Sequence, residues 1–268
     1  MQRRQAVQLL IALCACVAPL ASAQQVIRLS TTTSTDNSGL LAYLLPAFEA
    51  KTHTKVHVIA VGTGKALELA KNGDVDVTLV HARAAEDKFV LDGDGVDRRD
   101  VMYNDFIVVG PVADPDHVKG RDVIEALRKV AAGGAKFISR GDNSGTDQME
   151  KAYWKQIGGA PAGARYVSAG LGMGEVLNMA AELNAYTLTD RATYSTYKAR
   201  TGLALLVEGD ARMYNPYGII AVNPARHKGI NAQGARLLID WITSSEGQRL
   251  IAQFRPTGEQ LFFPSAAK

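Results

Sequence analysis

Two hydrophobic rhythms alternate along the chain. Short apolar runs bounded by glycine, proline or hydroxyl residues read as strands, and apolar residues spaced three and four apart read as helices. The first third gives strand Val26–Ser30, helix Leu40–Thr52 with Pro46 inside it, strand Val56–Ala60, helix Lys65–Lys71 closed by Asn72-Gly73, strand Val75–Val80, helix Ala84–Leu91 and strand Phe106–Val109. The middle continues with helix Val123–Ala131, strand Phe137–Ser139, helices Gly145–Ile157 and Val176–Leu183, strand Tyr186–Leu188, helix Arg191–Ala199 and the apolar run Leu203–Val207. Strand Ile219–Val222 and helices Ala235–Thr243 and Glu246–Phe254 complete the pattern. Such alternation predicts an α/β chain built of βα units around largely parallel sheets flanked by helices.

Two segments look like counterparts, Asp105-Phe-Ile-Val-Val-Gly-Pro111 and Tyr217-Gly-Ile-Ile-Ala-Val-Asn-Pro224, each an apolar run ended by proline. Lying side by side, they would be where the chain leaves one lobe and returns to it. Residues 24–110 with 218–268 then form the first lobe, and residues 111–217 form an inserted second lobe of ordinary domain size. A ligand cleft is expected between them.

The N-terminus reads as an export signal over residues 1–23. Arg3 and Arg4 form the basic region, Ala6 to Leu20 the apolar region, and Ala21-Ser22-Ala23 a small-x-small cleavage site. The apolar stretch is too short for a membrane span, so the mature protein is expected to start at Gln24, free in the periplasm after general export. Lipid attachment at Cys16 is the rival reading. The formal charge of +3 includes Arg3 and Arg4; without them 28 basic residues face 27 acidic ones, or +1. That balance gives no support for a nucleic-acid or membrane-surface partner. Both cysteines, Cys14 and Cys16, lie in the leader, which leaves the mature chain no thiol, disulfide or cysteine metal site.

Chemistry concentrates at three strand-to-helix turns. In the first, strand Val26–Leu29 runs into Ser30-Thr31-Thr32-Thr33-Ser34-Thr35, with Asp36 and Asn37 as candidate N-caps of the next helix. Backbone N–H groups, hydroxyls and a helix dipole meeting at one point suit an anion; a heavily capped helix start is the plainer reading. The second, Val61-Gly-Thr-Gly-Lys-Ala66, fails as a phosphate-binding P-loop, because Ile59 and Ala66 stand where Gly and Ser or Thr are required. Its glycines still permit close backbone approach, and Thr63 adds a hydroxyl. The third, Phe137-Ile-Ser-Arg-Gly-Asp-Asn-Ser-Gly-Thr-Asp-Gln148, sets Arg140 at a strand end facing a helix start with Ser144 and Thr146. A guanidinium fork matches oxyanion oxygens and keeps its charge. The alternative is a surface pair of Arg140 with Asp142 or Asp147.

Elsewhere the signals are structural. Thr189 or Asp190 reads as a helix cap, with Tyr186 and Thr187 as secondary candidates to line a cleft. The five histidines show no metal-ligand spacing, and His81, after a strand, is the one candidate to face the cleft. No Gly-x-Ser-x-Gly elbow and no acid/base pair is recognisable.

Thr31-Thr-Thr-Ser-Thr-Asp-Asn-Ser-Gly-Leu-Leu41, Gly62-Thr-Gly64, Asn104-Asp-Phe-Ile-Val-Val-Gly-Pro111 and Ser139-Arg-Gly-Asp-Asn-Ser-Gly-Thr146 occur in this order. Together they resemble the tungstate-binding periplasmic receptors of ABC importers, the TupA family, over essentially the whole mature chain. The resemblance implies a type II periplasmic binding protein fold, two α/β lobes closing on a tetrahedral dianion. It sets the Thr-Thr-Ser turn on Thr32, Thr33 and Ser34, the arginine on Arg140, and the helix-start hydroxyls on Ser144 and Thr146. The expected function is capture of tungstate, with molybdate second, by Thr32, Thr33, Ser34, Thr63, Arg140, Ser144 and Thr146. The expected protein is a monomer without cofactor or catalysis that delivers its anion to inner-membrane ABC permease subunits. Rival expectations are a phosphate or sulfate receptor of the same fold, with Asp36, Asp142, Asp147 or Asp190 accepting the phosphate proton, and an exported phosphatase-type hydrolase.

Overall fold

A computed structural model of the chain describes residues 26–266. The predicted leader, with Cys14, Cys16 and the cleavage site after Ala23, lies outside the described residues. The order begins β1 (Val26–Thr32), α1 (Thr33–Asn37), α2 (Leu40–Thr52), β2 (Lys55–Val61), α3 (Thr63–Asn72), β3 (Val77–Val80), α4 (Arg83–Leu91) and β4 (Gly95–Gly110). It continues α5 (Val123–Ala132), β5 (Phe137–Ser139), α6 (Gly145–Gln156), β6 (Tyr166–Ser168), α7 (Met173–Glu182), β7 (Thr187–Asp190), α8 (Arg191–Thr201) and β8 (Ala204–Val207). It closes with β9 (Tyr214–Val222), α9 (Ala232–Thr243), α10 (Ser245–Gln253) and β10 (Phe263–Pro264). No helix among the described residues is long and apolar enough to cross a membrane.

The expected βα alternation is present, with β1 pairing parallel to both β2 and β3. β9 then adds antiparallel to β3, and β4 antiparallel to β9. The C-terminal half of β4 leaves that neighbourhood and pairs antiparallel with β7 and β8, while β5 and β6 form a separate parallel pair. The two proline-ended runs therefore lie on partner strands but not opposite one another. Tyr217 faces Met102 and Tyr214 faces Asp105, whereas Phe106 to Val109 face Asp190 to Thr187.

β4 is far longer than the apolar run Phe106–Val109 that announces it. Its first half, Gly95-Val-Asp-Arg-Arg-Asp100, is polar because its two faces carry ion pairs: Arg98 with Glu86 and Asp100, Arg99 with Asp97 and Asp240. Its second half is buried on both faces, which is why it reads as continuous apolar sequence. Phe106 and Val108 enter one core with α5 and α6, and Ile107 and Val109 another with α7 and α8. β9 divides likewise, Ile219 joining a core with α2, α9 and α10 and Ile220 one with Ala70 and Phe89. Apart from Ala192, the cores draw either on residues 27–102 with 217–262 or on residues 106–213.

One helix start differs from expectation. Asp36 and Asn37 do not cap α2, because α1 already occupies them and capping requires extended backbone. Thr32 caps α1, its Oγ1 accepting from Thr35 N at 3.2 Å, and α2 has no side-chain cap. α2 starts after Gly39, whose φ of +78° only glycine adopts without strain.

The helix that carries Ser144 and Thr146 is anchored by a buried acid. Glu150 Oε1 accepts from Trp154 Nε1 at 2.9 Å and from the Tyr166 hydroxyl at 2.7 Å. Burial pushes its carboxyl up to about 7, against the pull of the hydrogen bonds from Tyr166, Ser139 and Trp154. The folded value lies above the ordinary one, so this stabilisation is complete at acid pH and fades as pH rises through about 7. Glu150→Gln should therefore unfold at higher temperature than the parent at pH 8, by on the order of 1–3 kcal/mol, with little difference at pH 4.5. Thermal scans at the two pH values check this, and parallel pH profiles for parent and variant would refute it.

Candidate anion-binding site

The three strand-to-helix turns meet. From the first, Thr33 Oγ1 accepts from Arg140 Nη2 at 3.2 Å, joining residues 107 positions apart. From the second, Thr63 Oγ1 accepts from Gly145 N at 3.0 Å, at the first residue of α6. Gly145 approaches so closely that a Cβ there would stand 2.6 Å from the His81 carbonyl oxygen. A β-carbon on Gly64 would likewise meet the Asn143 side chain at 2.6 Å. The glycines at these turns are thus a packing requirement between segments distant in sequence.

Arg140 is 1% exposed. Its Nη2 also donates to Asp142 Oδ2 at 2.5 Å, so the Asp142 pairing anticipated as a surface contact forms with the guanidinium buried. Asp147 is not part of that pair. It is fully buried, salt-bridged to Lys151, and accepts from Gly141 N, Asn143 N and the Ser139 hydroxyl. These bonds fix the left-handed turn of Gly141 and Asn143, at φ +63° and +59°. Among the described residues, Arg140 Nε and Nη1 and Thr146 Oγ1 are buried without hydrogen-bond partners. Leaving buried donors unmade costs about 1–3 kcal/mol each, more when charged, so this cluster is tuned to an acceptor.

The remaining hydroxyls have partners of their own. Ser144 Oγ caps α6 by accepting from Asp147 N at 3.2 Å. Thr32 Oγ1 lies 2.7 Å from Thr35 Oγ1 and 3.0 Å from Ser34 Oγ. Both Thr32 Oγ1 and Ser34 Oγ lie 3.1 Å from His81 Nε2. Thr193 Oγ1 donates to the Ser34 carbonyl from α8, a helix capped by Asp190. Lys65 stays at the surface with Glu68. Tyr186 sends its hydroxyl to Asp114, and Thr187 donates to the Ile138 carbonyl, so neither reaches the turns.

His81 is the residue that local reading undervalued. Its Nδ1 lies 3.0 Å from Asn215 Oδ1, and its ring stacks on Tyr217 with centroids 4.7 Å apart. Burial pushes its pKa down to about 4; the Asn215 hydrogen bond opposes this and the Arg140 charge reinforces it. Asp190, equally buried, is pushed the other way by burial, while its Thr193 bonds and then Arg140 hold its carboxyl down.

The sequence profile of the PBP superfamily domain matches residues 18–246. The tungstate-binding protein TupA of Peptoclostridium acidaminophilum is 51% identical over 245 residues, spanning 90% of this chain and 86% of that protein. The chain belongs to the TupA family. Solved TupA-type structures agree in fold. The tungstate ABC transporter structure from Geobacter sulfurreducens is 54% identical with a TM-score of 0.79, over 85% of this chain and 98% of that one. The tungstate-binding protein TupA from Desulfovibrio alaskensis G20 is 48% identical with a TM-score of 0.77, over 91% of this chain and all of that one. The TupA fold is thus the two-lobed type II periplasmic binding protein architecture.

His81 also gives a pH expectation. Its folded pKa lies below the ordinary 6.5, so the fold favours the neutral ring; that stability is complete above 6.5 and is lost as pH falls toward 4. In protein without added oxyanion, the His81 ring resonances should stay constant from pH 8 to pH 5. Titration with a midpoint near 6.5 would contradict this.

Proposed function

We propose that this protein is an exported receptor that captures tungstate, with molybdate second, and delivers it to the membrane subunits of an ABC importer. The observation that carries the reading is the buried Arg140 guanidinium with two nitrogens lacking partners, beside the equally orphaned Thr146 hydroxyl. A tetrahedral dianion supplies acceptors for such donors. Burying it is costly unless its oxygens are hydrogen-bonded and its charge compensated. Thr32, Thr33 and Ser34 from the first turn, Thr63 from the second, and Arg140, Ser144 and Thr146 from the third would hold it. Residues 24–110 with 218–268 and residues 111–217 are the two lobes in this reading, supported by cores that divide near the same points. The mature chain starts at Gln24 and works as a periplasmic monomer.

Hydrogen phosphate is the second reading, favoured by Asp142, whose carboxylate beside Arg140 can accept its proton. Ser34, His81 and Asn215 also trace the outline of a hydrolytic triad. A buried imidazole near pKa 4 is a poor base at neutral pH, and its Nε2 is shared equally with Thr32. Binding without covalent chemistry is the function we assign.

Calorimetric titration with tungstate, molybdate, sulfate and phosphate tests the ligand, and tungstate should bind tightest. Arg140→Ala should weaken tungstate binding by on the order of 2–5 kcal/mol, and Arg140→Lys should recover part of it, because an ammonium lacks the planar fork. Arg121→Ala, outside the turns, should bind like the parent. Circular dichroism separates lost folding from lost affinity. Tungstate binding undiminished in Arg140→Ala would displace the site from this cluster.

Saturating tungstate should also compact the protein and raise its melting temperature, by about 2.7 kcal/mol of stability at a hundredfold excess over Kd. Small-angle scattering unchanged by tungstate would rule out closure of the lobes.

A further inference from the structure

Behind the hydroxyl turn runs a file of buried polar side chains that the oxyanion reading leaves without a task. Asn104 on β4 accepts from Asn215 Nδ2 at 2.7 Å, and Asn215 Oδ1 on β9 faces His81 Nδ1 at 3.0 Å. His81 Nε2 then meets Thr32 Oγ1 and Ser34 Oγ, each at 3.1 Å. Asn215 Nδ2 donates to Asn104 Oδ1 and reaches the Tyr217 hydroxyl at 3.3 Å, while Asn104 Nδ2 is buried without a hydrogen-bond partner. The file thus has a direction. Asn215 must donate to Asn104 and so turns its carbonyl to the ring, which places the imidazole hydrogen on Nδ1. The Nε2 of a neutral ring is then an acceptor, and it draws a hydroxyl hydrogen from Thr32 or Ser34. A hydroxyl that donates to the ring presents lone pairs, and repulsion, to an anion.

We propose that His81 is a positioning residue of this site: it takes up one proton from solvent as the oxyanion enters, and as a doubly donating ring it turns the Thr32 and Ser34 hydroxyls toward the anion. The proposal rests on the oxyanion reading above and adds to it a charge the site otherwise lacks. Arg140, one of whose bonds already goes to Asp142, compensates a dianion only in part. An imidazolium donates to Asn215 Oδ1 through Nδ1 and to the hydroxyl oxygens through Nε2, which frees the hydroxyl hydrogen that the neutral ring had engaged and leaves neither hydroxyl drawn to the ring. The groups facing His81 set the balance. Arg140 opposes a second positive charge, and an incoming dianion neutralises that opposition and adds attraction of its own. Asp142 stands beside Arg140, Asp147 holds the same loop, and Asp190 is buried at the cap of α8, bonded to Thr193. Tyr217, stacked on the ring, keeps its proton, since burial raises its pKa well above the usual range. Arg83, two positions along the chain, is engaged with Asp87 at the surface.

The test is titration of the purified protein with dilute sodium tungstate between pH 6 and pH 8, in two buffers of different ionisation enthalpy. The heats should report uptake approaching one proton per tungstate as pH falls, with affinity rising by up to tenfold per pH unit. In ¹⁵N spectra the His81 ring should be the neutral Nδ1–H tautomer without tungstate and protonated at both nitrogens with it. His81→Gln, whose amide cannot take up a proton, should bind more weakly, with no uptake and a flat pH dependence. Tight tungstate binding with no proton uptake overturns the proposal and leaves the receptor reading intact. Uptake that persists in His81→Gln also overturns it, by placing the proton on Asp190. A neutral Nε2–H ring in the tungstate-loaded protein overturns it as well, since the hydroxyls could then turn without protonation. Absence of any tungstate binding by the parent protein overturns both readings. If His81→Gln does not fold, the parent's proton count and ring spectra decide alone.

Discussion

A guanidinium held almost wholly out of water is the constraint around which this molecule is built. Arg140 can remain charged there only if acceptors are brought to it, and they come from segments far away in sequence. Thr33 arrives from the end of the first strand and Asp142 from its own turn. The Asp147 carboxylate freezes that turn from behind through two backbone amides. The same positive charge reaches outward, helping to keep His81 neutral and restraining the upward shift of Asp190. Close approach of the turns follows from glycines at which any side chain would collide with the opposite segment.

The site reads as a receptor because its polar groups are numerous, convergent and short of acceptors. A catalytic centre built from the same residue types would need a base that titrates near neutrality. Here, before any anion enters, burial holds the histidine nearest a serine hydroxyl as a neutral ring with its pKa pushed down to about 4. What distinguishes the two outcomes is therefore solvent exclusion, since the residue list alone fits either.

Local chemistry was legible in the sequence, and long-range chemistry was not. The three turns stood out because glycine and hydroxyl residues cluster at strand-to-helix junctions, and those junctions lie where they were expected. The Thr32 cap was missed because Asp36 and Asn37 are stronger caps by type, and nothing local announces that a five-residue helix claims them first. Half of β4 was missed because its arginines and aspartates are held by ion pairs to one another, to Glu86 of α4 and to Asp240 of α9, which puts charged residues at partly buried positions and masks the strand period. His81 was visible only as a polar residue ending an apolar run. Its importance comes from Asn215, 134 positions away, and from Arg140, neither of which any spacing rule connects to it. Asn104 stood out only as the head of a motif, with no task attached to it, and Asn215 carried no signal, because an asparagine at a strand looks the same whether it faces solvent or joins a buried file.

The sixteen residues of β4 pass from one pair of cores into the other without a break. Its first half is held by β9 and its second by β7 and β8. Asn104 and Phe106 stand two residues apart at that change of partner, the first in the polar file behind the hydroxyl turn and the second in the core under α5 and α6. Any slide of this strand along its axis therefore moves the file and that core together.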